Sequence, residues 1–180
     1  LIAGPPAVAV GPDSQLNICF HHGKYGYGGS LELATFVDSA NSLQFVRRSP
    51  SSPPPPGLPE FIGTLLPRLA ADPVTGRLYE SYTLTKDSTV DPGSHDLLIA
   101  FQARHDSIWI PPVTVSGRRC HGARMALGPD QDIVLVWKDM ANMNRNMIRG
   151  CRSSDGGQSF NAPFTVGEAF DHYQVGSGYL

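Results

Sequence analysis

The sequence predicts an all-β protein made of about three four-stranded antiparallel units, followed by the first strand of a fourth. Three observations carry this expectation. A strand–turn–strand signal occurs three times at similar spacing. Gly 19 and Pro 16 together make up 35 of 180 residues, enough for many turns. No segment keeps the i, i+3, i+4, i+7 apolar spacing of a helix over three turns; the nearest, 139–149, reads as a polar loop.

The first unit begins with Ala7-Val8-Ala9-Val10, then Gly11-Pro12-Asp13, then Leu16-Asn17-Ile18-Cys19-Phe20. Strands are expected at 7–10, 15–21, 30–37 and 44–47. The second unit repeats the pattern with Arg68-Leu69-Ala70-Ala71, Asp72-Pro73 and Leu78-Tyr79-Glu80-Ser81-Tyr82. Its strands are expected at 68–71, 77–84, 96–103 and 113–115. The third unit has Arg124-Met125-Ala126-Leu127, Gly128-Pro129-Asp130 and Ile133-Val134-Leu135-Val136-Trp137. Its strands are expected at 124–127, 132–138, 147–153 and 162–166. The interval from Pro12 to Pro73 is 61 residues and from Pro73 to Pro129 is 56. The longer interval holds an insertion at 49–60, Ser-Pro-Ser-Ser-Pro-Pro-Pro-Pro-Gly-Leu-Pro-Glu, whose four consecutive prolines favour a stiff polyproline excursion that is either an inter-unit loop or a docking segment. Adding the 20 residues between Trp109 and Pro129 to Phe160 reaches residue 180, so the tail 169–180 holds the first strand of a fourth unit.

Between the last two strands of the third unit lies Ser153-Ser154-Asp155-Gly156-Gly157-Gln158-Ser159-Phe160. Asp155 suits an Asx-type turn that accepts backbone N–H groups. Gly156 and Gly157 permit positive φ, and Phe160 supplies a ring to the core. This S-x-D-G-G-x-x-F run resembles the turn signature of the Asp-box (BNR-repeat) sialidase-like β-propellers. The resemblance covers most of the chain through the repeats, but only one box is intact: Ala40 and Arg104 stand where the other two need Asp. It implies that the units are propeller blades, approximately 5–50, 64–117 and 121–168 of one region 1–180. Closed propellers have about four to eight blades, and open sheet edges are a liability. The chain is therefore expected to be part of a longer protein or to close by self-association.

Within this resemblance, sialidases hold a substrate carboxylate with three arginines and use an Asp acid/base and a Tyr nucleophile with a Glu partner. Their Phe/Tyr-Arg-Ile-Pro signature is absent; Leu66-Pro67-Arg68-Leu69 departs from it. Arg68 and Arg124, however, share one register at the start of their units' first strands. Two guanidinium groups there would hold a carboxylate; alternatively they cap strand ends or pair with Asp72, Asp130 or Glu80. The first unit has Ala7 at that register. Tyr25 and Tyr27, in the glycine-rich run 23–29, offer aromatic platforms for a sugar or partner, against the plainer reading of a surface loop.

Composition narrows the function classes. Charged residues are 17%, below the usual quarter, which suits an extracellular or cell-surface module. A net charge of −2 gives no bulk attraction to nucleic acid. No apolar run approaches the length of a membrane span, and no signal peptide is visible. No C-x-x-C or H-x-x-x-H spacing occurs, so neither a metal nor a cofactor is expected, and without an Asn-x-Ser/Thr sequon N-glycosylation is not expected. Cys120 and Cys151 fall in one unit, leaving open a disulfide between them or three free thiols with Cys19. Two functions follow: a secreted module that binds glycan or protein partners, or part of a sialidase-like glycoside hydrolase acting on acidic sugars. The sequence assigns no catalytic residue.

Overall fold

In a computed structural model the described residues are 6–12, 14–22, 30–39, 42–51, 61–86, 97–105, 108–117, 119–141 and 145–169. Tyr25, Tyr27, the proline run 53–56 and the expected tail strand lie outside them. The described residues form thirteen strands, one 3₁₀ turn at Pro129–Gln131 and no α-helix. The first sheet contains β1 (Ala7–Val10), β2 (Gln15–His22), β3 (Ser30–Ser39) and β4 (Ser42–Pro50). The second contains β5 (Phe61–Ala71), β6 (Leu78–Lys86), β7 (Leu97–His105), β8 (Ile108–Trp109) and β9 (Val113–Thr114). The third contains β10 (Cys120–Leu127), β11 (Ile133–Asp139), β12 (Met147–Ser153) and β13 (Phe164–Glu168).

Each sheet is an antiparallel meander in chain order, β1-β2-β3-β4, β5-β6-β7-β8 and β10-β11-β12-β13, with β9 also pairing β7. The repeats seen in the sequence have a common backbone basis. Gly11 N–H donates to Gln15 O at 2.8 Å, Asp72 N–H to Arg77 O at 2.9 Å and Gly128 N–H to Asp132 O at 2.8 Å, so one hydrogen bond closes the first hairpin of every sheet. A second recurring bond closes the last turn: Ile110 N–H donates to Ala103 O in the second sheet and Asn161 N–H to Arg152 O in the third. The second-sheet turn is two residues shorter than its third-sheet counterpart. Arg104 therefore lies inside β7, opposite Trp109, where no carboxylate is needed to organise a turn. Pro111 and Pro112 supply no N–H, which accounts for the outer strand being split into β8 and β9.

Two apolar cores sit between the sheets. Ala7, Cys19, Leu31 and Leu33 of the first sheet meet Leu78, Tyr82 and Leu84 of the second. Tyr79, Phe101 and Ala103, from the opposite face of the second sheet, meet Ala123, Ile133, Leu135 and Trp137 of the third. Because the side-chain period of a strand is two, β6 sends Leu78, Tyr82 and Leu84 one way and Tyr79 the other. Every residue from Leu78 to Leu84 is buried, including Glu80, Ser81 and Thr83. The leading strands gather on one side of the molecule: β5 lies against both β1 and β10.

Candidate functional site

Arg68 and Arg124 stand on those neighbouring leading strands, and the backbone presents them in the same way. The β5–β6 register shifts between Leu65 and Arg68, and the β10–β11 register shifts between His121 and Arg124. Two residues before each arginine the chain turns to positive φ, at Leu66 (51°) and at Gly122 (67°). Such bulges re-aim the side chain that follows. Gly122 adopts this conformation freely, whereas Leu66 meets its Cβ penalty. Retaining a strained leucine beside the arginine fits a site whose geometry is fixed by its surroundings.

Arg68 is half-buried and Arg124 exposed. Arg68 donates to Pro67 O at 2.9 Å, and Arg124 donates to Ala123 O at 3.3 Å. Neither forms an ion pair among the described residues. The carboxylates that the sequence offered as partners are engaged elsewhere or stand apart. Asp72 accepts Val74 N–H and Thr75 N–H at 2.7 and 3.1 Å, and Glu80 accepts from Cys19 and Ser51. The guanidinium of Arg68 is pushed below its ordinary pKa, first by burial and second by the charge of Arg124. The two cations are thus close enough to feel one another, and no carboxylate among the described residues offsets them.

Glu80 lies at the joint of the first two sheets and is fully buried. The Cys19 thiol donates to its Oε1 at 2.7 Å, and the Ser51 hydroxyl donates to the same oxygen at 3.3 Å. Burial, and then the Glu80 charge, push the Cys19 thiol far up. Cys19 is therefore a protonated donor rather than a nucleophile. The role of Cys19 as a donor to a buried carboxylate has no local signal in the sequence, because Glu80 is 61 residues away.

The turn at Ser153–Phe160 is held by its own side chains. Asp155 Oδ1 accepts from Ser153 Oγ at 2.7 Å and from Ser159 N–H at 3.0 Å. Asp155 Oδ2 accepts from Ser159 Oγ at 2.6 Å, and Gly157 N–H donates to Ser153 Oγ at 2.8 Å. The Ser159 hydroxyl, the Ser159 N–H and the Ser153 hydroxyl hold the Asp155 carboxyl down at about 2. Phe160 meets Phe101 edge to face at 5.0 Å between centroids, so the turn rests on the second sheet. These residues are architectural.

The Cys120–Cys151 disulfide is not formed; all three cysteines are free and buried. The register gives the reason. Cys120 lies opposite Asp139 on β11, whereas Cys151 lies opposite Leu135 on the other side of that strand. A whole strand and four positions along it separate the two, well over the roughly 7 Å that a disulfide spans. Burial pushes the Cys151 thiol up to about 11.

Comparison with known proteins places the fold. No family model matches the chain, and no curated protein matches it. Among solved structures, the Hadza microbial sialidase Hz136 is similar at a TM-score of 0.63 and 11% identity, over 86% of this chain and 36% of that one. The Trypanosoma rangeli sialidase, solved with 2,3-difluorosialic acid as a covalent intermediate, is similar at a TM-score of 0.58 and 12% identity, over 88% of this chain and 27% of that one. The chain thus has a sialidase-like β-propeller fold and spans about a third of the length of those enzymes.

Proposed function

We propose that the chain is part of an extracellular or cell-surface propeller that binds a carboxylate-bearing glycan, with Arg68 and Arg124 as the carboxylate clamp. The observation that carries this reading is the pair itself, which no carboxylate among the described residues compensates: two cations on adjacent leading strands, each behind a matching bulge, one lowered by burial and by the other's charge. An anion between them relieves their repulsion, and guanidinium groups favour planar carboxylates. We read the Ser153–Phe160 turn as an Asp-box that fixes the third blade against the second. Tyr25 and Tyr27 are assigned to the same ligand as stacking platforms.

Calorimetry with sialic acid, its methyl ester and a neutral hexose tests the clamp. Binding is expected for the free acid alone. Each of Arg68→Ala and Arg124→Ala should weaken it by about 10- to 100-fold, the loss of one charge-assisted pair, and the double variant should abolish it. Equal affinity of the double variant and the parent chain would remove the clamp. A second reading, part of a sialidase-like hydrolase of acidic sugars, is favoured by the likeness to two sialidase structures. Release of a fluorophore from an aryl sialoside by this chain, lost in Arg124→Ala, selects that reading; binding without turnover selects the first.

A further inference from the structure

We infer that Ser81 is a positioning residue for the carboxylate clamp: its buried hydroxyl accepts an N–H of Arg68 when that guanidinium turns to grip the acid group. The inference rests on the clamp proposed above and adds a residue to it. Ser81 stands directly opposite Arg68 in the β5–β6 register. Residues paired in this way project from the same face of a sheet, with Cβ atoms about 5 Å apart. Ser81 is 0% exposed, and its Oγ has no hydrogen-bond partner among the described residues. The Arg68 guanidinium donates to the carbonyl of the residue before it, Pro67 O, at 2.9 Å. A cation rich in donors and an unused buried acceptor therefore lie side by side.

The face that carries Ser81 is turned to the third sheet. Tyr79 and Phe101 on that face join the core with Ile133 and Leu135. Thr83, two residues beyond Ser81, accepts Gly122 N–H at 3.4 Å, from the bulge that precedes Arg124. Ser81 thus stands between an apolar core and the backbone that aims the second arginine. An unpaired hydroxyl in such a place costs stability, and alanine would remove that cost while deleting a single atom. Packing does not require a hydroxyl there. The third sheet repeats the bulge and the positive φ, yet the register partner of Arg124 is Val136. A local rule broken at structural cost points to a role outside the core. The guanidinium has five N–H donors, of which a carboxylate takes two in a parallel fork. A third is left for Ser81, and a bond to a residue of the next strand fixes the plane of the fork.

Calorimetry with sialic acid, paired with thermal melts of the same variants, tests this. Ser81→Ala should weaken binding by about 10-fold, the loss of one hydrogen bond to a charged group. It should also raise the melting temperature, because the unpaired hydroxyl is gone. In the Arg124→Ala chain the same substitution should again cost about 10-fold. In the Arg68→Ala chain it should cost nothing further, since the hydroxyl acts through Arg68. Parental affinity in Ser81→Ala overturns the inference, and the clamp survives it where Arg68→Ala still binds weakly. A loss that persists in the Arg68→Ala chain, or a lowered melting temperature, assigns the hydroxyl to the packing of the joint and overturns the inference as well. A parent chain that binds no acid removes the clamp and Ser81 with it.

Discussion

Asp155 shows how one ionised side chain organises a turn. Three donors from Ser153 and Ser159 converge on its carboxylate, and their combined effect is a carboxyl held at about 2, against an ordinary 3.8. A folded-state pKa below the unfolded one stabilises the fold above the unfolded value, and the contribution is lost as pH falls through the folded one. The contribution of Asp155 is thus complete above about pH 4 and gone near pH 2. Asp155→Asn keeps the shape but weakens the acceptor. It should cost about 1–2 kcal/mol at pH 7, in line with hydrogen bonds to a charged group. Thermal melts of the two proteins from pH 7 to pH 2 should converge at the acid end. A gap that stays constant with pH would mean that the charge of Asp155 plays no part.

At the scale of the element, the same turn is locked by backbone conformation and by its neighbour. Gly157 has φ of 86°, and a Cβ built on it would overlap the Phe101 ring. Phe101 is fully buried and stacks on Tyr79 at 6.1 Å, so the ring has little room to yield. Gly157→Ala therefore combines left-handed strain with overpacking and should destabilise by about 2–4 kcal/mol. Urea unfolding monitored by Trp137 fluorescence measures it, and a loss below about 0.5 kcal/mol would show that the second sheet gives way easily. The need for glycine here was legible in the sequence, as were the hairpins: β1 and β12 fall at their expected bounds. What could not be read was whatever depends on register between distant segments. β5 starts at Phe61 rather than 68 because the bulge at 66–67 lets the strand run through Pro67. The equivalence of Arg68 and Arg124 was visible as spacing, but the paired bulges behind them were not. Cys120 and Cys151 looked like disulfide partners because sequence proximity hides the strand between them.

At the scale of the whole molecule, the described residues pack in two joints, one on each face of the second sheet, which resembles a short repeat array with nearest-neighbour coupling. The cores on its two faces differ in character. The joint to the third sheet is built on aromatic and aliphatic contacts around Phe101 and Trp137. The joint to the first sheet also buries Glu80 with Cys19 and Ser51, and Glu80 is the second cause, after burial, that pushes the Tyr82 phenol up. Glu80→Ala would leave two buried donors without this acceptor and open a cavity in one joint only. The expected cost is about 2–4 kcal/mol, concentrated on one side of the molecule. Amide hydrogen exchange should then show protection lost across β1, β2 and β3 and retained in β10, β11 and β12, since opening free energies follow local cooperative units. Glu80→Gln, which keeps an acceptor, should fall between the variant and the parent. An equal loss of protection in all three sheets would mean that the joints unfold as one unit, and that the second sheet transmits a defect from one of its faces to the other.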